Sequence, residues 1–518
     1  MSAVRGAANI GSGLAPARAS RPIRAGERIH VVGAGGAGAS AAALLAHHRG
    51  AEVSGCDAGG PSPYTPSIEA AGIHLDWSHD AGHVTQGLPE RLAVTKALTS
   101  IEPNHPELAA ARRAGVPVEP WQQVIADAAA GKTLIGVAGT HGKSTTAGWL
   151  VHVLVEAGLD PCAFVGALLP AALTGGLPST ARWGLGQAFV VEADEYAGNF
   201  DAYRPDVAVL TSAEWDHPDA FADRRAVVDC FAAWLESAGR TVARPVLVAN
   251  VGDPGVAEVV ERLKSAAWPG RMVRTWLEQG IGGAASGAQP TPGSRSAPSE
   301  ALVGSIVASD AAGTTLRLQG GGLAEPLIAR LRLAGRHNAC NALGVAGAAL
   351  ILGVQPGAVA AGLASFGGVG RRLERKGEGR GVVVYDDYGH HPTAIRETLA
   401  AIRQLEPGRR IWAVYEPLTY HRTAAMIDEF AEALATADAV AIADIWASRD
   451  PDKTITSAAA LAEATARRRP GIMAAAPGSV EATAAWLANE VRAGDAVLVM
   501  GGGKSYRIAE LLVAALAR

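Results

Sequence analysis

Short apolar runs, several of them closed by glycine or by an acidic residue, alternate along this chain with longer stretches in which apolar residues recur at helical spacing. The first series predicts strands over residues 28–32, 52–55, 73–75, 93–98 and 116–118, a helix of small residues running to His48, and another helix over 106–114. A second series opens with a strand over 133–137 and an apolar helix over 147–155. It continues with strands over 163–165, 188–191, 207–210 and 246–249, then a helix over 338–352. A third begins near Arg371, with strands over 382–385, 411–415, 439–443 and 496–500, each followed by a helical pattern. Strands alternating with helices in this way bury both faces of mostly parallel sheets, so the expected class is α/β.

At 518 residues the chain can hold three or so domains, each with a core of its own. The three series place them at 28–130, 131–370 and 371–518. Residues 1–27 are rich in Ala, Gly, Ser and Arg, carry no acid before Glu27 and lack the apolar centre of a secretory signal, so a disordered tail is expected. Residues 278–299 are Gly/Ala/Ser/Pro-rich and are expected to be a flexible surface insertion. Both segments ought to be removable with little effect. A net charge of -4 gives no electrostatic reason to expect a nucleic acid or an anionic membrane as partner. Cys56, Cys162, Cys230 and Cys340 are scattered without a C-x-x-C pair, which argues against a zinc site or a disulfide framework and for a reducing cytosol. No apolar run reaches the length of about 18 residues that would cross a bilayer.

Two glycine loops carry candidate chemistry. Gly33-Ala34-Gly35-Gly36-Ala37-Gly38 lies between strand and helix, with Asp57 at the end of the next strand, an arrangement that holds a pyrophosphate and a ribose. Taken alone it points to NAD and an oxidoreductase. Gly139-Thr140-His141-Gly142-Lys143-Ser144-Thr145-Thr146 also joins a strand to a helix. Its backbone N–H groups can surround phosphate oxygens, Lys143 can reach the terminal phosphates and Ser144 can ligate Mg²⁺. It is not the common G-x-x-x-x-G-K-[ST] pattern, because Val137 stands where the first glycine should be. Two polar clusters, Glu192-Ala193-Asp194-Glu195 and Thr211-Ser212-Ala213-Glu214-Trp215-Asp216-His217, follow apolar strands, on the sheet edge where ligands bind. There a carboxylate such as Glu192 can hold Mg²⁺ beside a triphosphate, and a neutral imidazole such as His217 can complete a second metal site.

Further motifs follow in order: Leu333-x-Gly335-Arg336-His337-Asn338-x-x-Asn341, Gly368-Val369-x-Arg371-Arg372-x-Glu374 and Asp386-Asp387-Tyr388-Gly389-His390-His391-Pro392-Thr393. Together with the two loops and the acidic clusters, they resemble the Mur ligase superfamily over residues 28–518. Folylpolyglutamate synthases share the phosphate loop but not the histidine-rich run. The resemblance implies a Rossmann-like N-terminal domain for a UDP-sugar, a central phosphate-loop ATPase domain, and a Rossmann-like C-terminal domain for the incoming amine. It implies UDP-sugar contacts at Gly33, Gly35, Gly36, Gly38 and Asp57. ATP contacts are implied at Gly139, Thr140, His141, Gly142, Lys143, Ser144, Thr145, Asn338, Asn341, Arg372 and Asp387. Ser144, Glu192 and His217 would hold the metal, Tyr388, His390 and Arg422 would face the amino acid, and Lys143, His217 and Arg372 would serve catalysis.

Such a ligase first converts a carboxylate to an acyl phosphate, which the amine then attacks, with Lys143, Arg372 and Mg²⁺ spreading the transferring charge. Within the superfamily, the opening motif and Tyr420-x-Arg422-Thr423 resemble the branch that joins L-alanine to UDP-N-acetylmuramate. Tyr196 and Glu416-Pro417 resemble the sister branch that attaches recycled L-alanyl-γ-D-glutamyl-meso-diaminopimelate. Leu418 and Thr419 stand where the family carries a His and an Arg, and Ser212 where it carries an Asn, so a less polar and roomier amine pocket is expected. The implied partners are small molecules alone, for a cytoplasmic monomer or weak homodimer.

Overall fold

Five short strands, β1 (Arg28–Val32), β2 (Glu52–Cys56), β3 (His74–Asp76), β4 (Arg91–Val94) and β5 (Val118–Pro120), form the first sheet of the computed structural model, which describes residues 10–278, 300–447, 450 and 452–518. Their order is β3-β2-β1-β4-β5, with every neighbouring pair parallel. The chain reverses direction across the sheet between β1 and β4, so the loops after these two strands border one crevice. The helix Ala37–His48 lies close over this sheet because its inner face is almost entirely alanine, with Ala41, Ala42 and Ala43 fully buried.

The second sheet has ten strands. They are β6 (Thr133–Ala138), β7 (Cys162–Leu169), β8 (Ser179–Arg182), β9 (Ala188–Ala193), β10 (Val207–Leu210), β11 (Val246–Asn250), β12 (Arg271–Leu277), β13 (Ala301–Asp310), β14 (Gly313–Gly320) and β15 (Leu327–Leu331), in the order β15-β14-β13-β12-β11-β10-β6-β9-β7-β8. Its two faces are covered by different cores. Along β10, Ala208 and Leu210 point to one cluster and Val207 and Val209 to the other, the period-two alternation of a sheet buried on both sides. The first of these clusters continues through Phe164, whose ring lies 5.4 Å from that of Trp121, into the helix Ala37–His48. The third sheet, β16 (Glu374–Gly379), β17 (Val382–Asp387), β18 (Arg410–Glu416), β19 (Ala439–Ala443), β20 (Met473–Gly478) and β21 (Asp495–Gly501), runs β16-β17-β21-β18-β19-β20 and also separates two cores.

The structure departs from the sequence reading in several places. β13–β14, β14–β15, β7–β8 and β16–β17 pair antiparallel, so two of the sheets carry antiparallel margins. β13, β14 and β16 were not readable, because their residues are half exposed and mostly lack continuous apolar runs. The strand expected over 93–98 stops at Val94, and Lys96–Ile101 is helical. A short apolar stretch carries no periodicity that separates the two, and Thr95 opens the turn between them.

The expected tail is corrected as well. Ile23 is buried, and the Arg18 guanidinium reaches Glu119 at 2.8 Å and Asp127 at 2.7 Å. Charge pairing, invisible in a search for apolar periodicity, holds residues 10–27 against the first domain, while residues 1–9 lie outside the described residues. The expected insertion also lies outside them, apart from Glu278, whose N–H donates to Gly304 O at 2.8 Å. Among the described residues no helix is long and apolar enough to cross a membrane.

Candidate active site

Register builds this site before any side chain is considered. β6 lies between β9 and β10, with Ala138 opposite both Ala193 and Leu210, so the phosphate loop, the Glu192 cluster and the Thr211 cluster leave adjacent strands at one sheet edge. Gly139 has φ +133°, and a Cβ there would lie 2.2 Å from Thr211 Oγ1, so only glycine allows the loop to pass β10. The loop is then tied to the Thr211 cluster. Thr140 N–H donates to Ser212 O at 3.1 Å, His141 N–H donates to Ser212 Oγ at 2.8 Å, and Thr140 Oγ1 and Glu214 exchange hydrogen bonds through the main chain. Ser212, a departure from the family pattern, is thus a buttress of the loop. The helix Lys143–Glu156 starts from Gly142 without a side-chain cap, which leaves its N-terminal donors and its positive dipole end for an anion.

At the loop's end Lys143 Nζ lies 2.9 Å from Glu195 Oε2 and 3.5 Å from Asp194 Oδ1. Burial opposes its charge, but the Glu195 and Asp194 carboxylates outweigh that and hold the ammonium above the usual lysine range. Ser144 Oγ donates to Glu192 Oε1 at 3.0 Å, and Gly166 N–H holds the other Glu192 oxygen at 2.6 Å. The third domain enters here, because Arg372 Nη2 donates to Ser144 Oγ at 2.9 Å.

Arg372 also lies 4.9 Å from the Tyr388 ring, and Arg371 lies 5.1 Å from the same ring. Asp387, at the end of β17, accepts from Leu373 N–H and Gly389 N–H, each at 2.7 Å. A cleft of about 1860 Å³ opens between the central and third domains, lined by His141, Gly142, Thr145, Asn338, Asn341, Arg372, Asp387 and Tyr388, with Tyr64 contributed by the first domain. Lys143, Ser144, Glu192, His217, His390 and Arg422 are not among its lining residues. Asn341 Nδ2 donates to Asn338 Oδ1 at 3.2 Å, fixing that pair beside the loop.

Arg422, expected as a free partner for a carboxylate, is already engaged. It is buried, and its Nη2 lies 2.5 Å from Asp216 Oδ1 and donates to His217 Nδ1 at 3.1 Å, while Nη1 has no hydrogen-bond partner among the described residues. A guanidinium only donates, so His217 Nδ1 accepts and its Nε2 carries the proton. In this arrangement the Nδ1 of His217, a residue expected to hold a metal, is engaged by Arg422, and Arg422 and Asp216 form an ion pair between domains. Nearby, His390 Nδ1 lies 3.0 Å from Tyr388 O, so that nitrogen carries the proton and Nε2 is the acceptor. Burial, then the Arg422 charge, pushes His390 well below the usual histidine range, so it is neutral at pH 7. Thr419, expected to enlarge the pocket, instead caps the short helix Tyr420–Ala425, its Oγ1 accepting from Arg422 N–H.

In the first domain, Gly33 and Ala34 N–H donate to Cys56 O, Gly36 N–H donates to Gly33 O, and Asp57 accepts from Gly35 N–H at 2.9 Å and Gly59 N–H at 2.8 Å. Both oxygens of Asp57 therefore shape the loop. A Cβ on Gly38 would come within 2.2 Å of the Trp121 ring, which explains glycine there.

Sequence reasoning gave no role of their own to Glu195, Asp216, Glu214 and His391, and passed over Tyr64. The His391 side chain accepts from Thr393 N–H as the cap of the helix Pro392–Leu405, and its Nε2 donates to Trp215 O at 3.1 Å, so it locks the third domain to the central one. The proline after it was a readable sign of that cap. Glu214 accepts from Thr393 Oγ1 at 2.7 Å and lies 3.4 Å from His141 Nε2. Burial opposes its charge, but His141 and Thr393 hold the carboxyl at about 2.

Three family models match the chain in order: the catalytic domain of the Mur ligase family over residues 28–133, the Mur ligase middle domain over 137–349, and the Mur ligase glutamate ligase domain over 371–503. The chain is 38% identical over 497 residues to the UDP-N-acetylmuramate--L-alanine ligase of Mycobacterium sp. (strain JLS), a match spanning 94% of this chain and 95% of that relative. Its fold is similar to that of the UDP-N-acetylmuramate-alanine ligase of Thermotoga maritima, with a TM-score of 0.72 at 22% identity over 94% of this chain and 98% of the other. It is also similar to the murein peptide ligase of Psychrobacter arcticus 273-4, with a TM-score of 0.68 at 23% identity over 95% and 99% of the two chains. A phosphate loop buttressed by Ser212, reached by Arg372 from the third domain and matched over nearly its whole length to such relatives, places this chain in the Mur ligase family, to which it belongs.

Proposed function

We propose that the protein is an ATP-dependent ligase that joins L-alanine to the muramoyl carboxylate of UDP-N-acetylmuramate, in keeping with relatives named UDP-N-acetylmuramate--L-alanine ligase. The observation that carries the reaction class is the meeting at Ser144 of Glu192 and Arg372, because it brings a cation of the third domain onto the phosphate loop of the second. The choice of L-alanine rests on relatives 36% to 39% identical over most of the chain. The tripeptide-adding alternative has in its favour a fold-level likeness and the resemblance carried by Tyr196 and Glu416-Pro417.

ATP would lie along the cleft, its adenine beside Asn338 and Asn341, its ribose toward Asp387 and its phosphates over the loop from Gly139 to Thr145. The UDP-sugar would use the loop from Gly33 to Gly38. Ser144 and Glu192, two hard oxygen donors 3.0 Å apart, fit Mg²⁺, which would complete its shell with water and phosphate oxygens. When bound it would neutralise charge on the transferring phosphoryl group. Lys143 and Arg372 do the same from the protein while the muramoyl carboxylate takes the γ-phosphoryl group of ATP and ADP leaves; the amine then attacks the acyl carbon and phosphate leaves. The amine must lose a proton before it attacks, and neutral His390 offers Nε2 to take it. Arg422 Nη1, buried and without a hydrogen-bond partner among the described residues, is the donor left for the amino-acid carboxylate, while Asp216 and His217 hold its orientation.

The deciding assay supplies purified protein with ATP, Mg²⁺, UDP-N-acetylmuramate and a panel of amines. L-alanine is expected to support turnover, with slower but measurable use of glycine or L-serine, since a pocket separates a methyl from hydrogen by only about 1–3 kcal/mol. Use of L-alanyl-γ-D-glutamyl-meso-diaminopimelate without use of L-alanine would replace the substrate and keep the ligase. Arg422→Lys retains the charge beside Asp216 but loses Nη1 and the planar fork. It should therefore raise the KM for L-alanine by at least about tenfold while moving the KM for ATP little. Equal increases in both would remove Arg422 from the amine site.

A further inference from the structure

The first domain contains a buried cluster that the ligase reaction does not use. Glu107, fully buried at the start of the helix Pro106–Ala114, is surrounded by side chains from separate elements: His30 of β1, Cys56 at the end of β2, His83 of the helix Gly82–Thr85, and His79 and His105 from loops. Cys56 Sγ lies 3.1 Å from Glu107 Oε1, His30 Nε2 lies 3.8 Å from that same oxygen, and His83 Nδ1 contacts it closely. The ligand atoms of His30, Cys56, His83 and Glu107 all lie within 4.8 Å of one another. We infer that these four side chains form a structural site for a zinc-class divalent cation.

Donor chemistry selects the class of ion. Two imidazoles, one thiol and one carboxylate form the borderline-soft set that suits Zn²⁺ and disfavours Mg²⁺ and Ca²⁺, which take oxygen alone. Outer partners already orient the rings, as they do for histidines that ligate metals. His30 Nδ1 lies 2.8 Å from Ser54 Oγ, which leaves Nε2 facing the cluster, and His83 Nε2 lies 3.3 Å from Asp76 Oδ2, which leaves Nδ1 facing it.

Unsatisfied polar atoms point the same way. His30 Nε2 is buried with no hydrogen-bond partner among the described residues, and so are both ring nitrogens of His105, whose Nδ1 is 3.7 Å from Glu107 Oε2. Buried polar atoms without partners are rare, and several around one carboxylate are the pattern that a shared cation resolves. His79 Nδ1, 3.3 Å from Cys56 Sγ, packs against the same group.

Binding would convert Cys56–SH and M²⁺ into a metal thiolate and a released proton, so affinity rises with pH. Four protein ligands leave no open position, which makes the site structural. It would pin β1 to β2 immediately before the loop from Gly33 and before Asp57, the segment whose N–H groups bond Cys56 O. The absence of a C-x-x-C pair spoke against zinc in the sequence, but that spacing describes sites within one loop. Here the ligands come from positions 30, 56, 83 and 107, which only the sheet brings together.

The test uses the full chain, stripped with a chelator and titrated with Zn²⁺ and with Co²⁺. About one equivalent of Zn²⁺ should bind in competition with a chromophoric chelator and raise the melting temperature. Co²⁺ should give a thiolate-to-metal charge-transfer band in the near ultraviolet with the intense visible bands of tetrahedral coordination. Cys56→Ser should abolish the charge-transfer band, Cys162→Ser should leave it, and His83→Gln, on the more exposed rim, should weaken Zn²⁺ binding at least about tenfold. His83→Gln gives a reading of its own should Cys56→Ser fail to fold. Binding below a tenth of an equivalent, binding without the thiolate band, a band that survives Cys56→Ser, or unchanged affinity in His83→Gln would each overturn the site.

Discussion

Lys143→Ala is expected to lower kcat by at least about a hundredfold, the usual effect of removing one preorganised donor from a site where charge develops. The ammonium lies at the start of the helix Lys143–Glu156, mostly buried, and Glu195 and Asp194 keep it charged without a nucleotide. Those carboxylates hold the ammonium, and on the proposed function the triphosphate would draw Lys143 from them toward the phosphoryl group. Replacing it with alanine therefore removes the cation and leaves two carboxylates facing the incoming phosphates. Phosphate release with ATP, UDP-N-acetylmuramate and L-alanine measures the loss, and a melting curve checks the fold. A variant retaining more than about a tenth of wild-type turnover would contradict the role. Glu195→Gln is the informative companion, since it should weaken that hold and move the KM for ATP in the opposite direction to a loss of Lys143.

Arg91→Met is expected to destabilise the protein by about 3–5 kcal/mol, the range for removing one partner of a buried ion pair. Arg91 is buried, with Nε 3.0 Å from Glu27 Oε1 and Nη1 3.1 Å from Glu119 Oε2, and it also bonds Asp127. Arg18 and Arg21 complete the network from the segment before β1. Methionine keeps most of the stem's volume, so the measured loss of stability in urea would report the charge rather than a cavity. Truncation to residue 23 removes Arg18 and Arg21 together and should also lower the unfolding midpoint, reversing the expectation that this segment is dispensable. An unchanged midpoint in both variants would show that the network contributes nothing.

The network also sets a pH dependence. Burial opposes the charge of Glu27, yet Arg21, the Arg24 N–H and Arg91 bring its carboxyl down from 4.5 to about 2. A depressed carboxyl pKa stabilises the fold fully above the unfolded value, and that contribution is lost as pH falls from about 4.5 toward 2. Acid unfolding of the wild type should accordingly steepen in that window, and Arg91→Met should unfold at higher pH.

Both glycine loops were legible in the sequence because their chemistry is local. The loop from Gly139 to Thr145 needs glycine where the chain must pass β10, and a cation and a hydroxyl where a helix begins, and each requirement falls on neighbouring residues. Glu192 was legible for a related reason, since it ends an apolar strand and such ends share one sheet edge. The helix Pro106–Ala114 and the strands Val207–Leu210 and Ala439–Ala443 were placed to the residue by periodicity and flanking punctuation.

The partners of those residues could not be read in the same way. Lys143 on Glu195, Arg372 on Ser144, Arg422 between Asp216 and His217, Arg18 against Asp127, and Cys56 among His30, His83 and Glu107 all join positions remote in sequence. The sequence by itself determined the alternation of strands and helices, the glycine positions and the residue types available at each strand end, because these depend on backbone geometry and on period. Tertiary structure alone decided which charges meet. Strand order and register choose each neighbour, and burial then favours a partner for most of the charges and donors brought together, whatever its distance along the chain.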